Sequence, residues 1–381
     1  MKNPRILFVT DYIPTGGSRT YLAGLLKAMA GTGSTIILFT KFPIDEAVKA
    51  SLAKIDFHVV SLSKNRYASI PTRFWCLFTL FSSKKIIPKK YKLVLVDFIF
   101  NLTALTLISP FSVLPRILYQ LHGLDYKEKE SEVCSKSQPS IVANLKQFIR
   151  KKVESRVLNS LPARIVVFSK YAKSLLFEEK INNSQLVAPG FGFIENGKSS
   201  VAEKKVRNSI VISSRIEPRK GVSDFFTKVL PLISSDLLAS TDVIVLSNFY
   251  KNIHLDSFFE AISANLCDNI QLIHNPSEKK RNQVIRDSSL VVLPSLNLET
   301  YGFSAQESLL SGIPVVAYKH CSYPEFIPDE MLATNEKEFA IKIELILKNS
   351  QFYRKLSLKA GKQLRKKLSW KKYFNTLHKL I

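Results

Sequence analysis

Short runs rich in Val, Ile, Leu, Phe and Thr recur along the chain, and helical stretches lie between them. A first series reads Ile6–Thr10, Thr35–Thr40, Phe57–Leu62, Leu93–Val96, Ile117–His122 and Ile165–Ser169. A second reads Ser209–Ser213, Asp242–Leu246, Ile270–His274, Leu290–Pro294 and Pro314–Tyr318. Helical periodicity fills intervals such as Tyr21–Ala30, Val222–Leu232, Lys280–Asp287 and Ala305–Leu310. Strands that alternate with helices build parallel α/β sheets. Between the two series, Glu195–Asn208 is polar and without periodicity, which reads as an interdomain linker. The expectation is two α/β domains.

Length agrees. At roughly 150 residues per domain, 381 residues with 46% apolar side chains suffice for two full cores. A disulfide mini-protein, a collagen-like chain and a mostly disordered chain are excluded. Cys76, Cys134, Cys267 and Cys321 form no CxxC pair, so reduced thiols in a cytoplasmic protein are expected. The start, MKNPRILFVTDYIP, does not read as a signal peptide, because Asp11 closely follows its apolar stretch Ile6–Val9. Leu93–Leu114 is long enough to span a membrane. Asp97, Asn101 and Pro110 interrupt it, so a buried strand followed by a short helix is expected.

The net charge of +24 implies an anionic partner. Residues 1–192 hold 28 basic and 12 acidic side chains, a net +16. Residues 193–344 hold 16 and 19, a net −3, and residues 345–381 hold 11 and none. The positive field therefore belongs to the first half and the tail.

The segment richest in chemistry runs from Ser295 to Pro314. A β-run ends at Pro294, a turn with Gly302 follows, and a helix begins near Phe303. Free backbone N–H groups at such a start suit a phosphate. Glu299 lies in the loop and Glu307 on the helix, so two carboxylates can hold hydroxyls at separate points of one ligand. Glu299-Thr-Tyr-Gly-Phe-Ser-Ala-Gln-Glu307 resembles the E-x7-E signature of retaining GT-B glycosyltransferases, glycosyltransferase family 4.

Other segments carry the same resemblance. Ser214-Arg215-Ile-Glu-Pro-Arg219-Lys220-Gly221 is similar to the family's Gly-Arg-x4-Lys-Gly. Pro14-Thr-Gly16-Gly17-Ser18 is similar to its N-terminal Gly-Gly loop, and His122 to its strand-end histidine. Ala163–Ser169, Val187-Ala-Pro189-Gly190 and Trp370 match further landmarks. Ser214 stands where the family has Gly, Phe191-Gly192-Phe193 where an Asp or Asn often follows, and His274-Asn275 where a Gly often frames the base.

The resemblance implies an α/β GT-B fold: two Rossmann-like domains facing across a cleft, residues 1–194 on the acceptor side and 195–366 binding the donor. The C-terminal helix, about 367–381, would return to the first domain. It implies transfer of a sugar, with retention, from a nucleotide-diphosphate-sugar to a hydroxyl of a glycan or glycolipid acceptor. Arg215 and Lys220 would neutralise the leaving diphosphate, Glu299 with the amides of Gly302 and Phe303 would orient sugar hydroxyls, and Ser304 would also bind the donor. Glu307 would hold the ribose, Gly16 and Gly17 would approach the ligand, and His122 would sit near the anomeric centre. The chain has no acidic D-x-D, and no metal or other cofactor is expected.

The stretch Arg66–Lys92 bears on the acceptor. Phe74-Trp75-Cys76-Leu77-Phe78-Thr79-Leu80-Phe81 is flanked by Arg66, Arg73, Lys84, Lys85, Lys89, Lys90 and Lys92 with no acid. Aromatics that dip and cations that meet headgroups are the pattern of an interfacial segment. The expectation is an enzyme peripheral at the inner face of the cell membrane, acting on a membrane-held, lipid-linked acceptor in polysaccharide or lipopolysaccharide-type synthesis. The alternatives are a soluble anionic acceptor, or a basic non-catalytic α/β protein that binds nucleotide or nucleic acid. No nucleic-acid motif is present, so nucleic acid is not an expected partner.

Overall fold

The computed structural model describes residues 5–11, 17–29, 32–40, 56–61, 70–82, 91–97, 99–109, 116–122, 141–160, 164–191, 208–247, 258–260, 262 and 269–380. The chain divides into two compact units. One comprises Met1–Glu130, Gln138–Gly190 and Leu368–Ile381, and the other Ser131–Ser137 and Phe191–Lys367.

The first unit is built on a seven-stranded parallel sheet. Its strands are β1 (Ile6–Asp11), β2 (Thr35–Thr40), β3 (Asp56–Ser61), β4 (Leu93–Asp97), β5 (Ile117–Leu121), β6 (Arg164–Val167) and β7 (Ser184–Leu186), in the order β3-β2-β1-β4-β5-β6-β7. Ile6–Val9, Ile36–Leu38, Leu93–Val96 and Ile117–Leu118 are at most 1% exposed. Such continuous apolar runs belong to strands covered on both faces. Helix α1 (Gly17–Met29) joins β1 to β2. Helices α2 (Ile70–Ser82), α3 (Ile99–Ile108), α4 (Ile141–Ser160) and α5 (Lys170–Glu178) make the crossovers from β3 onward. Leu93–Leu114 thus contains a buried strand and then a ten-residue helix. Asp97 and Asn101 are buried there, with Asn101 accepting from the guanidinium of Arg73.

The second unit has a six-stranded parallel sheet: β8 (Asn208–Ser213), β9 (Thr241–Ser247), β10 (Ile270–His274), β11 (Leu290–Leu293), β12 (Val315–Tyr318) and β13 (Leu332–Ala333). The order is β10-β9-β8-β11-β12-β13. Its longer helices are α6 (Glu278–Asp287), α7 (Phe303–Leu310), α8 (Glu336–Lys348) and α9 (Ser350–Lys367). Where one helix was expected over Val222–Leu232, the backbone passes through an α turn, a π turn (Phe225–Val229) and a 3-10 turn (Leu230–Leu232), the last where Pro231 removes an amide donor. These two parallel sheets are the two Rossmann-like units expected of the α/β GT-B fold class.

The basic tail divides between the units. Helix α9 packs on α7 so closely that a Cβ at Gly361 would overlap the carbonyl of Leu309. Helix α10 (Trp370–Lys379) belongs to the first unit. There Tyr373 Oη receives a hydrogen bond from Gln120 Nε2 (3.0 Å) and shares one with Tyr21 Oη (3.2 Å). The Trp370 indole fills the space where Gly24 and Gly190 lack side chains. The positive charge of residues 345–381 is therefore shared between the two units, and only the part from Leu368 onward joins the first. The first unit holds 30 basic against 11 acidic residues, a net +19, and the second 25 against 20, a net +5.

Candidate functional site

In each sheet the strand order reverses between neighbouring strands, at β1/β4 and at β8/β11. Crossovers leave such a point in opposite directions and open a crevice at the carboxyl ends of the strands. The sequence-derived candidates cluster at these ends.

In the second unit, β8 runs into Ser214-Arg215 and the turn Pro218–Lys220, while β11 runs into the loop ahead of α7. The two loops are tied together. Leu296 N donates to Arg219 O (2.9 Å), and Arg219 Nη1 to Leu298 O (3.5 Å). Gly221 has φ 61°, and a Cβ there would overlap the carbonyl of Pro294. Only glycine permits both that backbone and that approach. The ties bring the Lys220 ammonium onto a Glu299 carboxylate oxygen, while the other oxygen accepts from Gly302 N (3.0 Å).

Glu299 resists the upward push of burial: Lys220, with further help from Arg219 and the Gly302 amide, holds its carboxyl below the ordinary value. Burial lowers the Lys220 ammonium, as do Arg219 and Arg215, against the pull of Glu299. Arg215 Nη1 lies 2.8 Å from Glu217 Oε1, and Glu217 also takes Arg219 (3.2 Å). Three cationic side chains thus converge on one turn with two carboxylates between them.

Helix α7 starts from Gly302, whose φ of 71° reverses the chain. A Cβ there would press on Phe326 at 2.8 Å. The first-turn amides at Phe303 and Ser304 have no acceptor within the helix. One turn on, Glu307 is 5% exposed and paired with Arg281 of α6. The same guanidinium reaches Ser213 Oγ (3.2 Å) at the end of β8 and Ser304 Oγ (3.4 Å). Sequence reasoning missed Arg281. Among Lys279, Lys280 and Arg281 nothing local marks the one that faces the sheet. The signal that could have found it is the Ser277 cap, whose hydroxyl accepts from Lys280 N and so fixes where α6 begins.

In the first unit, His122 follows β5. Its Nε2 lies 3.4 Å from Asp97 Oδ1 at the end of β4, and Asp97 Oδ2 accepts from Thr10 Oγ1 (2.9 Å) at the end of β1. The Tyr21 and Phe168 rings meet the imidazole edge-on at 4.7 and 5.0 Å. Gly17 opens α1. Gly16 and the linker residues 195–207 lie outside the described residues. So the structure brings Arg215, Lys220, Glu299, Gly302, Phe303, Ser304 and Glu307 together in the second unit, and places His122 and Gly17 in the first. Among the described residues no group of three or more His, Cys, Asp or Glu side chains could hold a metal ion.

The interfacial segment is partly placed. On α2, Trp75 is 61% and Phe78 46% exposed. Arg73, expected beside headgroups, is instead buried over the Phe39 ring, 5.4 Å from its centroid. It faces inward because α2 packs on α3, whose Asn101 takes its guanidinium. Arg66, Lys84, Lys85, Lys89 and Lys90 lie outside the described residues.

Residues 194–365 match the family model described as "Glycosyl transferases group 1". The chain matches no curated protein. Among solved structures it is similar to Anabaena Alr3699/HepE in complex with UDP and glucose, at TM-score 0.74 and 16% identity over 99% of this chain and 98% of that one. It is also similar to a glycosyltransferase from Rickettsia africae, at 0.69 and 16% over 100% and 99%. A third likeness is to WaaG, a glycosyltransferase involved in lipopolysaccharide biosynthesis, at 0.69 and 13% over 98% and 99%. At these identities the structural likeness carries the fold.

Proposed function

Residues 194–365 form a glycosyl transferases group 1 domain, and for the glycosyltransferase built on it we propose retaining transfer of a sugar from a nucleotide-diphosphate-sugar to a membrane-held glycan or glycolipid hydroxyl. The observation that carries the donor reading is the pairing of both motif carboxylates with cations from neighbouring elements, Glu299 with Lys220 of the turn after β8 and Glu307 with Arg281 of α6, around the start of α7.

Each group has a task in that reaction. Arg215 and Lys220 neutralise the charge that grows on the leaving diphosphate, aided by the first-turn amides of α7 at Phe303 and Ser304. Glu299 accepts hydroxyls of the sugar, with its second oxygen steadied by the Gly302 amide. Glu307, set by Arg281, accepts the ribose hydroxyls. Gly16 and Gly17 let backbone approach the donor, and His122, by the family resemblance, meets the sugar. The acceptor oxygen bonds to the anomeric carbon on the face from which the phosphate oxygen departs, and that phosphate oxygen takes the acceptor proton. The protein's share is positioning and charge stabilisation, for which the cations and helix start suffice without a metal.

The membrane reading is supported by the +19 of the first unit and by exposed Trp75 and Phe78. No helix among the described residues is long and apolar enough to cross a membrane. On this reading the enzyme works from the cytoplasmic surface of the cell membrane. The test incubates purified protein with a panel of nucleotide sugars and a lipid extract. Acceptor-dependent nucleoside diphosphate release, lost in the Arg215→Ala/Lys220→Ala double variant, is the expected result. Equal release by that variant would sink the donor assignment.

A further inference from the structure

Helix α4 turns four large apolar residues outward. Its buried side holds Glu154 and Leu158, 4% and 1% exposed. Leu145, Phe148, Ile149 and Val153 stand 57%, 59%, 52% and 50% exposed, at spacings that form one stripe along the helix. Lys151, Lys152 and Arg156 are exposed as well. Lys152 Nζ lies 5.5 Å from the Phe148 centroid, and Lys151 meets Glu179 at 3.2 Å. The helix carries five basic residues, and its single acid is the buried Glu154. None of these residues is among those assigned to the donor.

Topology sets the stripe in company. From β3 onward each crossover moves the same way across the sheet, and right-handed connections put α2, α3 and α4 on one side of it. Helix α1 moves the opposite way and lies on the other side, with α10 packed on it. So Trp75 and Phe78 of α2, Leu107 of α3 (66% exposed) and the α4 stripe look out from one side of one sheet. Soluble monomers rarely leave so much apolar surface together.

We propose that this side of the first unit docks on an anionic phospholipid surface, with the α4 stripe entering the acyl boundary and Lys152 and Arg156 meeting headgroups. Charge chooses the occupant. The exposed charges on the stripe are all positive, so a two-fold contact with a second copy would set the same cations against each other. An anionic leaflet gains from them and accepts the apolar residues between. The proposal rests on the reading that the acceptor is membrane-held, but it names an element of which that reading has no need.

The test is co-sedimentation of the full chain with phosphatidylcholine vesicles, with and without phosphatidylglycerol, at low and high salt. The wild type should bind the anionic vesicles and keep part of that binding at high salt. Leu145→Ser/Phe148→Ser/Ile149→Ser/Val153→Ser should bind about 10-fold more weakly or worse at high salt, with donor hydrolysis in solution unchanged. As a second measurement, an environment-sensitive dye on Ile149→Cys, in a background with the four native cysteines replaced by Ser, should shift to the blue on anionic vesicles. Wild-type binding by the quadruple variant together with an unshifted dye overturns the α4 assignment alone. A wild type that ignores anionic vesicles at low salt overturns it together with the membrane reading. A dimer that the quadruple variant dissolves, with vesicle binding intact, makes the stripe a self-contact and also overturns it.

Discussion

The ammonium of Lys220 and the carboxylate of Glu299 meet across 79 positions of sequence, each on a loop that leaves the carboxyl end of its own strand. They meet because β8 and β11 are hydrogen-bonded neighbours. Removal of either charge leaves the other desolvated. Lys220→Ala and Arg215→Ala should each lower kcat by about 10²-fold or more, while thermal melts show the fold intact. Wild-type turnover in the double variant would contradict their role.

The pair also sets a pH dependence. The folded pKa of Glu299 is depressed, so its ionised form adds stability that is full above the unfolded carboxylate value, about 4.3, and is lost as pH falls through the folded value. The Tm difference between wild type and Glu299→Gln should hold from neutral pH down to about 4.3, then shrink in stronger acid. A difference that grows in acid would refute the pairing.

Arg281 should matter for the nucleotide. Arg281→Ala removes the partner of a buried carboxylate and should weaken donor binding by about 10–100-fold, the range of a lost charge-assisted hydrogen bond. Arg281→Lys keeps the charge but loses the fork that spans Ser213, Ser304 and Glu307, and should recover only part of it. Calorimetry with the free nucleotide reads this directly; full affinity in Arg281→Ala would remove it from the site.

Product stereochemistry tests the class of mechanism. NMR of freshly formed product should show the donor's anomeric configuration kept, and chelator should leave the rate unchanged. Inversion would exclude the front-face reaction.

The Trp370 latch gives a sign reversal. Gly24→Ala and Gly190→Ala should each destabilise by about 1–3 kcal/mol, because the new methyl overlaps the indole. In a Trp370→Ala background the clash is gone. Gly24→Ala, inside helix α1, should then stabilise by up to about 1 kcal/mol. Denaturant unfolding of the four proteins in the cycle measures the coupling.

Much of this was legible in one dimension. Strand and helix alternation follows from local composition, since a parallel strand needs both faces apolar and a crossover to reach its neighbour. Glu299, Gly302 and Glu307 lie within nine residues of one another, so their spacing could be read without a fold. Arg215, Lys220 and Gly221 share one turn and were equally visible.

What sequence could not supply depends on which strands become neighbours. The contact of Lys220 with Glu299, the choice of Arg281 over Lys279 and Lys280, and the approach of His122 to Asp97 all arise from strand order, which joins elements far apart in sequence. The division of the basic tail was decided the same way. The α9 and α10 helices are separated by two residues, and local charge is alike on both. Gly361 against Leu309 holds one helix, and Trp370 over Gly24 and Gly190 holds the other. Glycines distant in sequence made room for them, and shape complementarity of that kind exists only once the chain is folded.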